Sequence, residues 1–309
     1  MVLKVHPFFL VCIASVLAGV LNLFSKDLLL AGLSPIQICL CREGVTAIAF
    51  GLILLFIDRS AFKVKIRDLW LFILFALFNV VSNLAVFTAQ DMIPLGMAAV
   101  LEMTSPFFVV VIAFFMFGNK ITKNKILALV LAFLGCILIT GVVTSPEGIQ
   151  PIGILIGLLS GVTLAAFTLG SKCMEGKGYS ENTVMFYFFL FSTLLVLPFT
   201  GMGEIFDAIQ RDWIVLPCIL CMGLVCTLFI NYIVIYATRR MDPGVVAIVI
   251  TSSIIVSTLC GVLVFGDDFG LKDVIGMILI IVAVAILEPP KSVKKRFGMD
   301  TDDEEQDAE

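Results

Sequence analysis

Three ionisable residues, Arg42, Glu43 and Glu102, sit deep inside stretches that are otherwise apolar. A charge at the middle of a membrane span costs about 2.5–3.5 kcal/mol on insertion scales, so a span that keeps one needs a partner or a task for it. A guanidinium holds a carboxylate through two parallel hydrogen bonds. A carboxylate in apolar surroundings takes an amine or a proton. Arg42 lies seven residues past Pro35 and Glu102 seven past Leu95, which is about 10 Å along each helix. Equal depth predicts an Arg42–Glu102 pair, and Glu43, about 100° further round its helix, is placed to serve either partner. Two readings stay open. In one, the pair only orders a bundle; in the other, Glu102 accepts a solute amine or a coupling proton while Arg42 holds a carboxylate.

Amides and hydroxyls extend this pattern. Asn79, Asn83 and Gln90 share one face of the third apolar stretch, as Ser15, Asn22 and Ser25 share one face of the first. Asn231 stacks on Thr227 in the eighth, with Tyr232 adjacent, and Thr251, Ser252 and Ser253 place hydroxyls in the ninth. Each alone is suited to gluing helices together; as a set they point to a wet interior. Pro106, four residues after Glu102, frees a backbone carbonyl, as a gating hinge or a static bend. Gly153, Gly157 and Gly161 read as a packing stripe. The nine cysteines lie mostly in apolar runs, and the Cys218/Cys221 pair reads as two small buried residues. Nothing implies a metal or a cofactor, and no basic patch suits a nucleic acid.

These residues have to be positioned by membrane-spanning helices. Of the 309 residues 60% are hydrophobic and 14% charged, with a mean hydropathy of +1.12. A soluble domain carries about 45–50% apolar and about 25% charged residues. A span needs about 20 largely apolar residues, and that window predicts ten: near 8–25, 36–57, 69–89, 95–117, 126–143, 152–171, 183–200, 213–235, 244–265 and 273–288. Pro35 and Pro94 open spans, and Trp70 and Trp213 sit at span ends, where their rings favour the headgroups. With the N-terminus inside, sixteen Lys and Arg fall on the inner side and three on the outer, with Arg42 within a span. That bias supports ten spans with both termini cytoplasmic in the plasma membrane. The formal charge of −4 comes from the tail, because seven carboxylates in 299–309 leave the rest at +3. Residues 289–309, basic and then acidic, are expected at the inner leaflet and then disordered.

The chain also repeats itself. Met92 and Pro94 match Met241 and Pro243 at an offset of 149, and Phe117-Gly118 matches Phe265-Gly266 at 148. Ser25-Lys26 and Ser34 match Ser171-Lys172 and Ser180 at 146. This predicts two five-helix units, 1–145 and 146–288. An odd number of spans per unit inverts the second against the first, an architecture of secondary transporters with a midplane site. Membership of the first span in this repeat argues against a cleaved signal peptide.

The residues that carry a family resemblance are Arg42 after the "SPIQICLC" opening, "AAVLEMTSPFFVVVIAFFMFGNKIT" at 98–122 and "PGVVAIVITSSIIVSTLCGVLVFGDD" at 243–268. Together they resemble the EamA-type branch of the drug/metabolite transporter superfamily. The chain departs from that pattern at Asn119, where the family usually has glutamate, and at Thr251-Ser252-Ser253, where it has proline. The resemblance implies a secondary transporter of a small metabolite working by alternating access, here an exporter of an amino acid or related compound. An uptake permease for a vitamin or nucleoside-like solute is the alternative within that class. A scaffold or an intramembrane enzyme is the alternative outside it. No nucleotide-binding G-x-x-x-x-G-K-[ST] occurs, the single His6 precedes the first span, and H-E-x-x-H and G-x-S-x-G are missing. The expected partners are a small solute and membrane lipids, with proton coupling through Glu102; a monomer and a dimer are equally compatible.

Overall fold

The computed structural model describes residues 6–90, 92–93, 95–140, 150–266 and 269–287. Residues 1–5, Asp91, Pro94, residues 141–149, Asp267, Asp268 and residues 288–309 lie outside the described residues, as do the side chains of Lys26, Phe87, Gln90, Leu95 and Phe265. Among the described residues every regular element is helical. In order they are α1 Pro7–Leu30, α2 Pro35–Ile57, α3 Leu69–Gln90, α4 Leu95–Glu102, α5 Ser105–Phe117, α6 Lys123–Thr140, α7 Pro151–Glu175, α8 Glu181–Val196, α9 Met202–Arg211, α10 Val215–Cys221, α11 Leu228–Arg240, α12 Pro243–Ile250, α13 Ser253–Cys260 and α14 Leu271–Ile286. Nine helical stretches among the described residues are long and apolar enough to cross a membrane. The sixteen-residue α14 packs along α6.

The ends follow from the residues there. Pro7, Pro35 and Pro151 open helices, where a missing N–H costs nothing. Ser34 caps α2, and its N–H donates to Gln37 Oε1 at 2.8 Å. Among the described residues four glycines have positive φ, Gly32 (91°), Gly178 (83°), Gly118 (67°) and Gly266 (68°). They fall into two pairs at the offsets of 146 and 148 seen in the sequence, each closing the turn after a helix.

The stretches expected as single fourth and ninth spans are each broken. Met103 and Thr104 separate α4 from α5, and Thr251 and Ser252 separate α12 from α13, again 148 residues apart. In the first break the Pro106 ring conflicts with the carbonyl four residues back, which belongs to Glu102. The interruption therefore lies ahead of the proline, and Pro106 sits buried in the first turn of α5. The second break has no proline. There Thr251 Oγ1 donates to Ile248 O (2.6 Å) and Ser252 Oγ to Val249 O (2.8 Å), so hydroxyls supply the local alternative to helical bonding. Wide π-type turns at Met222–Thr227 and Gly261–Phe265 interrupt the eighth and ninth stretches further.

One element lies outside the expected set. The amphipathic α9 buries Ile205 and Ala208 against the bundle and exposes Phe206, and Trp213 just after it is exposed too. Gln37 Nε2 donates to Glu204 of this helix, tying it to α2.

Packing pairs the two halves of the chain. α1 lies against α11 and against α12–α13; α7 lies against α3 and against α4–α5. α2 crosses the π-type turn at Met222–Thr227, as α8 crosses α3. α2 meets α8, α5 meets α12 and α6 meets α14. Exchanging the halves carries most of these neighbours into one another; α5–α12 is the exception, since its image, α4–α13, is not among the main contacts of the described residues. The α6–α14 crossing is set by two glycines: a Cβ on Gly276 would come within 2.8 Å of Gly135 O, and one on Gly135 within 2.6 Å of Gly276 O. Gly276→Leu is expected to cost about 1–3 kcal/mol by overpacking, seen as a lower Tm of the purified protein in detergent. Gly203→Ala, in open space on α9, is expected to cost nothing; equal Tm values for both variants would refute this account of the crossing.

Candidate functional site

A stripe on α2 at spacings of three and four, Pro35, Ile38, Cys39 and Arg42, forms one wall of a cavity of about 230 Å³. Leu21, Asn22, Ser25 and Leu29 of α1 face it, Asn83 and Val86 of α3 flank it, and Glu102 closes it at the end of α4. It runs from Arg42 and Glu102 to Leu29 and Pro35, beside the α1–α2 turn. Drug-sized ligands occupy pockets of about 300 Å³ and upwards, so this volume suits a small metabolite. A second void of about 10 Å³ lies between the two helix breaks, beside Met103, Pro106 and Thr251, and is scaled to a single water.

Arg42 and Glu102 line the same cavity without forming the expected pair. Within 4 Å, Arg42 Nη2 reaches Glu43 Oε1, at 3.6 Å. Glu102 makes no hydrogen bond or ion pair among the described residues. It ends the eight-residue half-helix α4, whose negative dipole end adds to the carboxylate in attracting a cation. The two residues share a cavity, and no ion pair joins them within 4 Å.

Glu43 and Asn79 are buried behind the cavity wall. Asn79 Nδ2 donates to Glu43 Oε1 at 2.6 Å and lies 3.2 Å from Ser192 Oγ of α8. Cys39 Sγ approaches the same Glu43 oxygen at 3.4 Å. Asn83 Nδ2 donates to Asn79 O at 2.9 Å, which ties the cavity's amide to this network. Thr46 Oγ1 lies 2.8 Å from Arg42 O and 3.0 Å from Gly223 O, a carbonyl of the π-type turn.

Three expected site residues lie elsewhere. Asn231 Nδ2 donates to Thr227 O at 2.8 Å, within its own helix. Tyr232 stacks at a tilt on Phe50, with ring centroids 6.5 Å apart. Ser252 Oγ meets Ser15 Oγ at 2.9 Å and joins α1 to the α12–α13 break. Ser252 thus joins two helices through hydroxyls, Tyr232 packs its ring against α2, and Asn231 returns its amide to its own helix. The apolar lining at Leu21, Leu29, Ile38 and Val86 carries no chemical signal in the sequence; its one mark is sharing a helical face with Asn22 and Arg42.

At the offset of 146 the counterpart of Arg42 is Phe188, buried among Phe72, Phe75 and Phe167 with centroids 6.0, 5.9 and 5.5 Å away. Beyond these rings lie polar ties between the halves. Lys125 Nζ meets Asp242 Oδ2 at 2.5 Å, and Asp242 Oδ1 caps α12. Lys177 and Tyr179 both reach Asp68, at 2.9 and 2.7 Å. Asn182 donates to Asp58 at 3.0 Å, and within the second half Arg240 pairs with Glu181. Hydrogen bonds from Ser60 and then Asn182 hold the Asp58 carboxyl below the usual carboxylate range. Partial burial and then the bond to Asp68 raise the Tyr179 phenol.

The family model described as the EamA-like transporter family matches residues 7–141 and again 151–288. An uncharacterised transporter of Archaeoglobus fulgidus is 23% identical over 82% of this chain and 89% of its own. An uncharacterised transporter of Clostridium kluyveri is 28% identical over 61% and 62%. The pseudopaline exporter CntI of Pseudomonas aeruginosa is 25% identical over 66% and 70%. A crystal structure superposes with a TM-score of 0.73 over 93% of this chain and 97% of that one, at 15% identity, and so shares the fold.

In a background lacking the nine native cysteines, Asn22→Cys and Asn83→Cys are expected to react with a membrane-impermeant methanethiosulfonate added on the α1–α2 side. Phe188→Cys is expected to stay unlabelled from both sides. Equal labelling of all three would place the cavity wrongly.

Proposed function

Because this chain belongs to the EamA-like transporter family and is a multi-pass membrane transporter, we propose that it exports a small zwitterionic metabolite of the amino-acid class by alternating access. The single observation that carries this reading is that Arg42 and Glu102, carrying opposite charges, line one small cavity without bonding to each other. A guanidinium takes the solute carboxylate through its two-pronged face. The carboxylate opposite takes the solute ammonium. The apolar residues between them, Ile38 and Val86 among others, accommodate a short side chain.

Ten spans in two inverted five-helix units, with both termini cytoplasmic, complete the reading. The paired helix breaks, the paired positive-φ glycines and the largely matched neighbours of α1 with α7 and α2 with α8 support it. So does the double match to one family model. On this reading the cavity faces outward, and the ion pairs and aromatic rings at the lysine-rich end close the cytoplasmic side. Alternation opens the path past Phe188 as the outer walls meet. One carboxylate, Glu102, cannot hold an ammonium and a proton together. Solute and proton therefore exchange there, which suits export against an inward proton gradient. The similarity to a pseudopaline exporter supports the outward direction.

The test is mass spectrometry of the medium around cells carrying wild type, Glu102→Gln or an empty vector. Wild type is expected to release an amino-acid-like compound that the vector does not. Loss of one charge-assisted contact is expected to cut that release roughly 10- to 100-fold in the variant. Equal release at equal expression would make Glu102 structural, and no released zwitterion would refute the assignment.

A further inference from the structure

Arg42 faces the cavity, yet its nearest carboxylate belongs to its own chain neighbour. The 3.6 Å separation from Glu43 Oε1 exceeds the roughly 2.7–2.9 Å of a charge-assisted hydrogen bond. Glu43 has no exposed surface and does not line the cavity. Its Oε1 is taken by Asn79 and Cys39, while its Oε2 is buried without a hydrogen bond among the described residues. Arg42 Nε is buried and unpartnered in the same way.

A structural ion pair in a membrane interior would use both carboxylate oxygens and close to contact, because neither partner has water to fall back on. Here the carboxylate is held off. Asn79 grips it from α3 and reaches Ser192 of α8, whose hydroxyl lies 3.4 Å from Ala76 O. Glu43 thus neutralises the guanidinium without occupying its two-pronged face.

We propose that Glu43 is an internal counter-ion that keeps Arg42 neutralised in the empty site and surrenders it to the carboxylate of the solute. This rests on the reading of the cavity as the solute site. Glu43 touches no solute; it is a positioning residue, and Asn79 sets how far it stands from Arg42. One guanidinium shared by two carboxylates binds each loosely. The solute leaves without stranding a bare cation in the membrane, and the empty site can turn over.

The experiment uses the purified full-length protein in detergent, with acetate as a minimal carboxylate and methylammonium as a minimal amine, binding being read by saturation transfer to the probe methyl. Glu43→Gln keeps the shape and the bond to Asn79 but frees Arg42, and is expected to bind acetate roughly tenfold more tightly than wild type. Methylammonium affinity is expected to stay unchanged, and Arg42→Gln to abolish acetate binding. Asn79→Ala releases Glu43 towards Arg42 and is expected to weaken acetate severalfold, which settles the matter if Glu43→Gln folds poorly. Unchanged or weaker acetate binding in a folded Glu43→Gln, unchanged affinity in Asn79→Ala, or acetate binding to none of the proteins would each overturn the proposal. Binding is read without flux, so a protein that exports no zwitterion can still pass, and one that does can still fail.

Discussion

In hydrocarbon, a backbone carbonyl or N–H released from its helix must find a partner within the protein, and this constraint shapes every irregularity of the bundle. The chain opens helices at Met103–Thr104, at Thr251–Ser252 and at the π-type turn of 222–227. At each opening a hydroxyl stands ready. Thr104 donates to Leu101 O, Thr251 to Ile248 O and Ser252 to Val249 O, while Thr46 reaches across from α2 to Gly223 O. A proline forces the first break and side chains induce the second, so two chemically different sequences reach the same backbone at the same place in each half.

The same constraint governs the charges. The charge at Arg42 is not repeated in the second half. Where the first half has Arg42 the second has Phe188, packed by three further rings. Beside Arg42 the space is left as a cavity, and around Phe188 it is filled by aromatic side chains. The helix breaks recur at the same offset while the side chains at corresponding places differ, so backbone and side chains follow separate patterns.

Depth is legible in the sequence; rotation about a helix axis relative to a neighbour is not. Counting from Pro35 and Leu95 places Arg42 and Glu102 at one level, and the structure sets both on one cavity. The expected pair fails because Glu43, one residue on, is already within reach of Arg42. Polar stripes on α1 and α3 reach the cavity through Asn22 and Asn83. Asn231, Tyr232 and Ser252 have similar chemistry and lie away from it, because residue type does not reveal which face meets a neighbour. α9 escapes the hydropathy window, since ten amphipathic residues between two spans average to a loop. Its signal is the spacing of Ile205 and Ala208, visible only to a search at helical period.

The lysine-rich end carries ion pairs such as Lys177–Asp68 and Arg240–Glu181, whose lysine and arginine are more than 40% exposed. Surface pairs of this kind are screened by dissolved electrolyte, with a Debye length of about 8 Å at physiological ionic strength. The packing among Phe72, Phe75, Phe167 and Phe188 is indifferent to it. Raising the ionic strength therefore loosens the exposed pairs and leaves the rings intact, so the cohesion of that end is a property of the medium as well as of the chain.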